Sequence, residues 1–212
     1  MATNVFGNPV TDMTLEAMPD YEGKTITRYD RAYAALLMKN SENKAVNARA
    51  YADNLKTHFG NGVCTKCLIY NATGDPITFT LSHDWYGRIG ESPYPMEIAN
   101  GQWGTFLHTK TPAAASGSQG AAVYRVKGLD GAADLDCMLA WCTSWGPWYS
   151  NHCYAEIRES NHFDGTVWGV VEDKLTRSGL QNVETNGLFR VEQSMGSDTT
   201  SEWESVVKLG KP

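Results

Sequence analysis

The chain has 212 residues, enough for one domain, or one domain with an appendage, around a normal core. Its 24 acidic against 18 basic residues give a net charge of −6 without a Lys/Arg cluster, which argues against a nucleic-acid partner and against simple electrostatic docking on anionic membranes. No apolar run approaches the length of a membrane-spanning helix, and residues 1–9 (MATNVFGNP) have neither the basic start nor the apolar core of a secretory leader, so the expected address is the cytoplasm, with nuclear access.

Residues 1–26 read as irregular, with Gly, Pro, Asn and Asp recurring and Met13, Leu15 and Met18 as anchors. A first helix starts at Thr27, which can cap it with Asp30 three residues on. Tyr29, Tyr33, Leu36 and Leu37 form its apolar stripe. A second helix runs from about Lys44 to His58, carries Val46, Ala50, Tyr51 and Leu55, and ends at Gly60. Both stripes are expected to pack on the body of the domain.

From Val63 the period changes to two. Cys64 to Ala72 is a strand and residues 71–76 a turn. Ile77, Phe79 and Leu81 alternate with Thr78, Thr80 and Ser82, as in a half-buried strand. Tyr86 to Gly90 and Met96 to Ala99 are short extended pieces, and Asn100-Gly101 is a strong hairpin signal. Strands follow at Trp103 to Lys110 and Ala121 to Lys127, separated by a small, flexible, exposed stretch at residues 112–120 (PAAASGSQG). A third helix covers about Thr166 to Ser178, with Val167, Val171 and Leu175 on one face. Two strands, around residues 189–195 and 202–209, finish the chain. Many strands at roughly ten-residue spacing, joined by Gly/Pro turns, predict a mainly β fold: a β-sandwich with N-terminal helices and one helix before the last two strands. Residues 1–62 are expected as an irregular segment and two helices packed on the body, and 63–212 as the sandwich.

The most informative stretch is residues 137–159, CMLAWCTSWGPWYSNHCYAEIRE. Residues 135–142 are mostly apolar, as in a buried strand, and residues 152–158 alternate. Between them, Ser144-Trp145-Gly146-Pro147-Trp148-Tyr149-Ser150 places large rings on a Gly-Pro connection, where water normally reaches. Folded back, these rings would cap the sandwich core. Left outside, they form an aromatic platform for a sugar ring, a lipid headgroup or a partner surface. Ser144, Ser150 and His152 would add hydrogen bonds.

Catalytic signals are weak. There is no nucleophile elbow, zinc-protease motif or phosphate loop. His83, Asp84, His108, His152, His162 and Asp164 are scattered, so a catalytic group would have to be assembled in three dimensions. Five cysteines is an odd number and fits reduced, buried thiols. Cys64 and Cys67 have redox or zinc spacing, but on a strand they point to opposite faces, and no second pair stands at a recognised spacing. No metal or cofactor is therefore expected. Asn71-Ala72-Thr73 matches a glycosylation sequon and reads as an accident of a turn.

Several ordered words resemble the plant 23 kDa jasmonate-induced protein family: Asn-Val-Phe-Gly-Asn-Pro at the start, residues 70–75 (YNATGD), 82–85 (SHDW), 92–95 (SPYP), 100–104 (NGQWG) and 154–159 (YAEIRE). The resemblance implies a jasmonate- or stress-responsive plant protein and names no activity. From residue 63 onward the order of elements is also similar to the actinoporin-type cytolysins and related lectins. The pieces are Asn71 to Gly74, the Pro147-Trp148-Tyr149-Ser150-Asn151 run and the helix from Thr166. That resemblance implies that loop aromatics and rings on the following helix hold a phosphocholine headgroup. The loop half is present as Trp145, Pro147, Trp148 and Tyr149. On the helix only Trp168 qualifies, and Glu172 and Asp173 stand where further rings are expected.

The resulting expectation is a non-catalytic binding protein whose ligand contacts are Ser144, Trp145, Pro147, Trp148, Tyr149, His152 and Trp168. Its partner would be a glycan, a lipid headgroup or a protein. The alternatives are an enzyme on the same scaffold and a membrane-permeabilising protein whose N-terminal helices detach.

Overall fold

The computed structural model describes residues 4–146 and 148–210. In chain order the elements are β1 (Val5–Phe6), α1 (Asp12–Glu16), α2 (Arg28–Leu37), α3 (Lys44–Phe59), β2 (Cys64–Ala72), β3 (Ile77–Tyr86), β4 (Arg88–Ile89), β5 (Glu97–Ile98), β6 (Trp103–Thr109), β7 (Ser118–Val126), β8 (Leu135–Thr143), β9 (His152–Glu159), α4 (Trp168–Thr176), β10 (Gln181–Asn186), β11 (Phe189–Met195) and β12 (Thr200–Leu209). Among the described residues they build two facing sheets. One has the order β1-β6-β2-β12-β11-β10, with β4 also on β6; the other has the order β5-β3-β7-β8-β9. Every pairing is antiparallel except β12 on β2.

The layering follows from the pleat. In β2, Cys67 and Ile69 face the other sheet with Phe106, Leu139, Trp141 and Trp203, while Leu68 and Tyr70 face the helices with Trp103 and Val206. Buried on both faces, β2 reads as a nearly continuous run of sheltered residues. α4 covers the outer face of the second sheet, where Val171 and Leu175 meet Val123, Met138 and Ala140. The result is four layers: helices, sheet, sheet, helix.

Thr27 caps α2 as expected, accepting from Asp30 N while Asp30 accepts from Thr27 N at 2.9 Å. The buried faces of the helices differ from the expected stripes. Tyr33, Leu37 and Val46 are exposed, and the residues against the sheet are Ala32, Ala34 and Ala35 of α2 and Ala45, Ala48, Ala52 and Leu55 of α3. Small side chains let a helix axis come close to a sheet, so the alanines, not the large residues, mark the contact. Ion pairs then pin the helices: Arg31 bridges Asp12 and Asp75, and Arg49 bridges Glu202 and Glu204. This buried, ion-paired packing opposes the helix detachment that permeabilisation would require.

Several expected loops are ordered. Residues 1–26 contain β1 and a short α1, which Thr11 and Thr14 cap reciprocally. β7 begins at Ser118, inside the stretch expected to be flexible, because Ser118 is fully buried and bonded to His108 and Thr65. Asn100-Gly101 makes a turn with Gly101 at φ +87°, but β5 joins β3 and β6 joins β2. The turn therefore passes the chain from one sheet to the other and closes no hairpin. Three strands, not two, follow α4. Asn71 is fully buried, with its amide bonded to Asp75 O and Ile98 O, so the folded protein has no glycosylation acceptor there.

β3 departs most from its sequence pattern. Its register on β7 slips between Phe79 and Leu81 and again between Asp84 and Tyr86. Each slip adds a residue to one strand, and each extra residue reverses the faces beyond it. Ile77 and Phe79 thus belong to the inter-sheet core, whereas Leu81 joins the cluster under α4. His83 and Trp85 reach the outer face with Leu81, and Asp84 turns inward to His108.

α4 is fastened to the outer face by Glu156 of β9. This carboxylate, 4% exposed, bonds Lys174 Nζ and Arg158 Nε at 2.7 Å and Tyr154 Oη at 3.0 Å. Burial pushes its pKa up, but these three partners outweigh burial and hold it below the ordinary 4.5. A depressed carboxylate stabilises the fold above its unfolded pKa, and the contribution fades as pH falls through the folded value. Glu156→Gln is therefore expected to cost about 1–3 kcal/mol at pH 7 and to flatten the acid side of the stability profile. Urea titrations at pH 7 and through the acid range measure this; parallel profiles for the two proteins would contradict it.

Candidate functional site

The connection between β8 and β9 is closed by its own polar groups. Ser144 Oγ donates to Ser150 O at 2.6 Å, and Tyr149 N donates to Gly146 O at 3.1 Å. Asn151, 4% exposed, ties this loop to the one between β11 and β12. Its Oδ1 accepts from Ser144 N at 2.8 Å, and its Nδ2 donates to Gly196 O and Asp198 O at 2.9 Å and to Ser201 Oγ at 2.7 Å. With the polar atoms turned inward, the rings turn out: Trp145 is 52% exposed, Trp148 90% and Tyr149 68%. They do not cap the core. Pro147 lies outside the described residues.

Beside these rings runs a groove of about 670 Å³. Trp145, Tyr149 and Ser150 line it from the loop, and Tyr86 lines it from the end of β3. The second slip in β3 pairs Tyr86 with Gln119, and that is what brings this ring to the groove. Cys142 and His152 come from β8 and β9, Thr176 from the last turn of α4, and Ser116 from the connection before β7. Among the described residues no Lys, Arg, Asp or Glu lines it. Ser116 Oγ is buried there without a hydrogen-bond partner among the described residues.

The polar residues named from the sequence have specific tasks. His152 Nδ1 lies 2.8 Å from Ser178 O; since a carbonyl only accepts, Nδ1 carries the proton and Nε2 is left as the second polar atom of the ring. The Ser144 proton is used inside the loop, so that hydroxyl can offer a ligand only a lone pair. Burial pushes the Cys142 thiol up to about 11, which keeps it protonated and unreactive at neutral pH. Cys64 packs with Leu55 and Leu107, and Cys67 lies in the inter-sheet core, so the two point to opposite faces.

Trp168 is not at the groove. It starts α4, two turns or about 12 Å from Thr176. Its ring stacks on His83 with centroids 4.5 Å apart and planes 4° apart, and Trp85 meets both edge-on. Burial pushes the His83 imidazole below its usual value, while Asp84 and Glu172 pull it upward. The loop rings and the helix ring therefore form two separate clusters.

The catalytic candidates do not converge on an accessible site. His83 and Asp84 sit on opposite faces of β3. A Ser-His-Asp trio does assemble from Ser118, His108 and Asp84, with His108 Nδ1 2.8 Å from Ser118 Oγ and Nε2 3.0 Å from Asp84 Oδ1. Ser118 and His108 are fully buried, and Ser118 Oγ also bonds Thr65 at 2.7 Å, so this trio fastens one sheet to the other. A nucleophile closed to solvent meets no substrate. Among the described residues no group of three His, Cys, Asp or Glu is placed to hold a metal ion.

Sequence reasoning missed Asn151, which read as a polar loop residue; its neighbours Ser144 and Asp198 are remote in sequence from one another. It also missed Tyr86 and Ser116, whose placement depends on the β3 slip and on the start of β7.

A family model described as Nakanori-like protein matches residues 6–210. The 23 kDa jasmonate-induced protein of Hordeum vulgare is 40% identical over 211 residues, 99% of each chain. A jasmonate-induced protein homolog of Atriplex canescens is 33% identical over 107 residues, covering 50% of this chain and 56% of its own. Among solved structures, the crystal structure of the lipid binding protein Nakanori superposes with a TM-score of 0.87 at 31% identity, covering 96% of this chain and 99% of that one. The resemblance to the jasmonate-induced family thus extends over the whole sequence.

Removing the Asn151 side chain tests the loop architecture. Asn151→Ala leaves Ser144 N without its partner and leaves Gly196 O and Asp198 O to share the single Ser201 hydroxyl, and it is expected to cost about 1–3 kcal/mol. The urea midpoint should fall with an unchanged slope. An unmoved midpoint would show that the two loops hold themselves.

Proposed function

This chain belongs to the Nakanori-like protein family, and from that premise we propose that it is a non-catalytic lipid-headgroup-binding protein that docks on a bilayer surface by its Trp145–Tyr149 loop. The observation that carries the reading is the exposure of Trp145, Trp148 and Tyr149 together on a loop whose backbone is internally bonded. Large rings in contact with water are unfavourable, and clusters of them mark binding surfaces. Trp and Tyr also prefer the headgroup level of a membrane, where the ring is sheltered and its polar edge stays wet.

The groove favours a neutral, choline-bearing headgroup. A quaternary ammonium is attracted by the faces of aromatic rings, and Tyr86, Trp145 and Tyr149 supply three. Thr176 brings the C-terminal end of α4, with its partial negative charge, to the same place. Among the described residues the lining contains no Lys or Arg to pair with an anionic lipid, and the net charge of −6 repels an anionic surface. Tyr86, Tyr149 and Ser150, which line the groove, bring hydroxyls for the headgroup phosphate. Trp168 belongs to a different patch in this reading. The identification of the Nakanori structure as that of a lipid binding protein supports the same class of ligand.

Trp148→Ala removes the most exposed ring. It should weaken binding to phosphatidylcholine vesicles about ten-fold or more while changing folding stability by less than about 0.5 kcal/mol. Vesicle sedimentation paired with urea titration reads both. Undiminished vesicle binding by the folded variant would reject this loop as the docking element.

A further inference from the structure

A second cleft, of about 460 Å³, shares Ser144 and Tyr149 with the groove but is otherwise formed by Gly146, Asn151 and the connection between β11 and β12, residues 197–200. We propose that this cleft is a separate saccharide site that takes the vicinal hydroxyls of a sugar ring against Asp198 and the ring's C–H face against Tyr149.

The residue types match that chemistry. Ser197, Asp198, Thr199 and Thr200 offer a carboxylate and three hydroxyls within four residues, beside one exposed ring. A carboxylate accepts hydrogen bonds from two neighbouring hydroxyls at once, and such charge-assisted bonds are stronger than neutral ones. A sugar also has an apolar face that stacks on an aromatic ring, as Tyr149 allows. Among the described residues the lining has no Lys or Arg, so a phosphate or carboxylate ligand would meet Asp198 without compensation. A metal ion would need more acidic or imidazole ligands, and no such group of three exists among the described residues.

The backbone of the cleft is held in place. Asn151 Nδ2 fixes Gly196 O and Asp198 O at 2.9 Å, and Ser201 Oγ, itself buried, donates to Gly196 O at 3.0 Å and also to Asp198 O. These bonds use the main-chain oxygen of Asp198, an exposed residue that lines the cleft, and do not engage its carboxylate. A backbone ordered before binding loses less entropy when the ligand arrives. The site does not depend on the groove: the two use different side chains apart from Ser144 and Tyr149.

The sugar has two possible sources, a free saccharide or the headgroup of a glycolipid, and two arms of one experiment separate them. The full chain, labelled with nitrogen-15, is titrated with methyl β-glucoside, methyl β-galactoside and methyl α-mannoside. At least one should shift the amide resonances of Tyr149 and residues 197–200, with the response weakened about ten-fold or more in Asp198→Asn and retained in Trp148→Ala. In the second arm, phosphatidylcholine vesicles with and without glucosylceramide are compared. Tighter binding to the glycolipid vesicles, lost in Asp198→Asn, assigns the sugar to a lipid; equal binding together with the amide shifts assigns it to a free saccharide. The proposal is overturned if no glycoside moves these amides and glucosylceramide adds nothing, or if Asp198→Asn behaves as wild type. Failure to bind plain phosphatidylcholine would reject the groove reading and leave this one standing.

Discussion

The buried side chain of Asn151 is the constraint on which the binding end of the molecule depends. One amide joins the end of β8, the start of β9 and the loop before β12 through four hydrogen bonds. Ser144 N has this carboxamide as its partner, and Gly196 O and Asp198 O would without it share one Ser201 hydroxyl; inside the protein an unpaired polar group is costly. Because the loop meets its own hydrogen-bond needs inward, its rings are released to the outside. Order in the backbone and exposure of the rings have the same origin.

The groove beside that loop exists because of two irregularities elsewhere. The second register slip in β3 pairs Tyr86 with Gln119, and Glu156 holds α4 across the outer face so that Thr176 closes the groove. Behind it, Thr65, Ser118, Thr143 and His108 form a hydrogen-bonded seam between the sheets. This polar seam fixes the end of the sandwich from which the loop projects. An arrangement that resembles a catalytic trio in residue type therefore serves packing. Its burial, not its composition, decides the role.

Much of this was legible in the sequence. Apolar and alternating runs located β2, β6, β8, β9, β11 and β12, and the Thr27/Asp30 pair located the start of α2. The Gly-Pro connection between two strand patterns placed Trp145 and Trp148 at a rim, and the structure leaves both rings exposed. What escaped detection depends on tertiary contacts. A β-bulge at Thr80 leaves no local signature, yet it moves Leu81 to the opposite face from Phe79. The alanine faces of α2 and α3 carry weak hydrophobic signal, so Tyr33 and Leu37 drew attention to the wrong side. Ser118 and Asn151 look like loop residues until their partners from other strands are seen. Trp168 was grouped with the loop rings through a resemblance in element order, whereas in space it is engaged by His83 and Trp85.

The seven tryptophans provide their own probe of the central claim, since Trp103, Trp141 and Trp203 are fully buried and only Trp145 and Trp148 belong to the loop. The most direct measurement is fluorescence quenching by phosphatidylcholine brominated at successive depths along the acyl chain, with acrylamide as the aqueous counterpart. The account predicts that, on saturating vesicles, a minor part of the emission is quenched by the shallowest bromines and simultaneously loses its access to acrylamide, while the buried indoles respond to neither. Full acrylamide access with no bromine quenching would mean that the rings remain in water, and would contradict it.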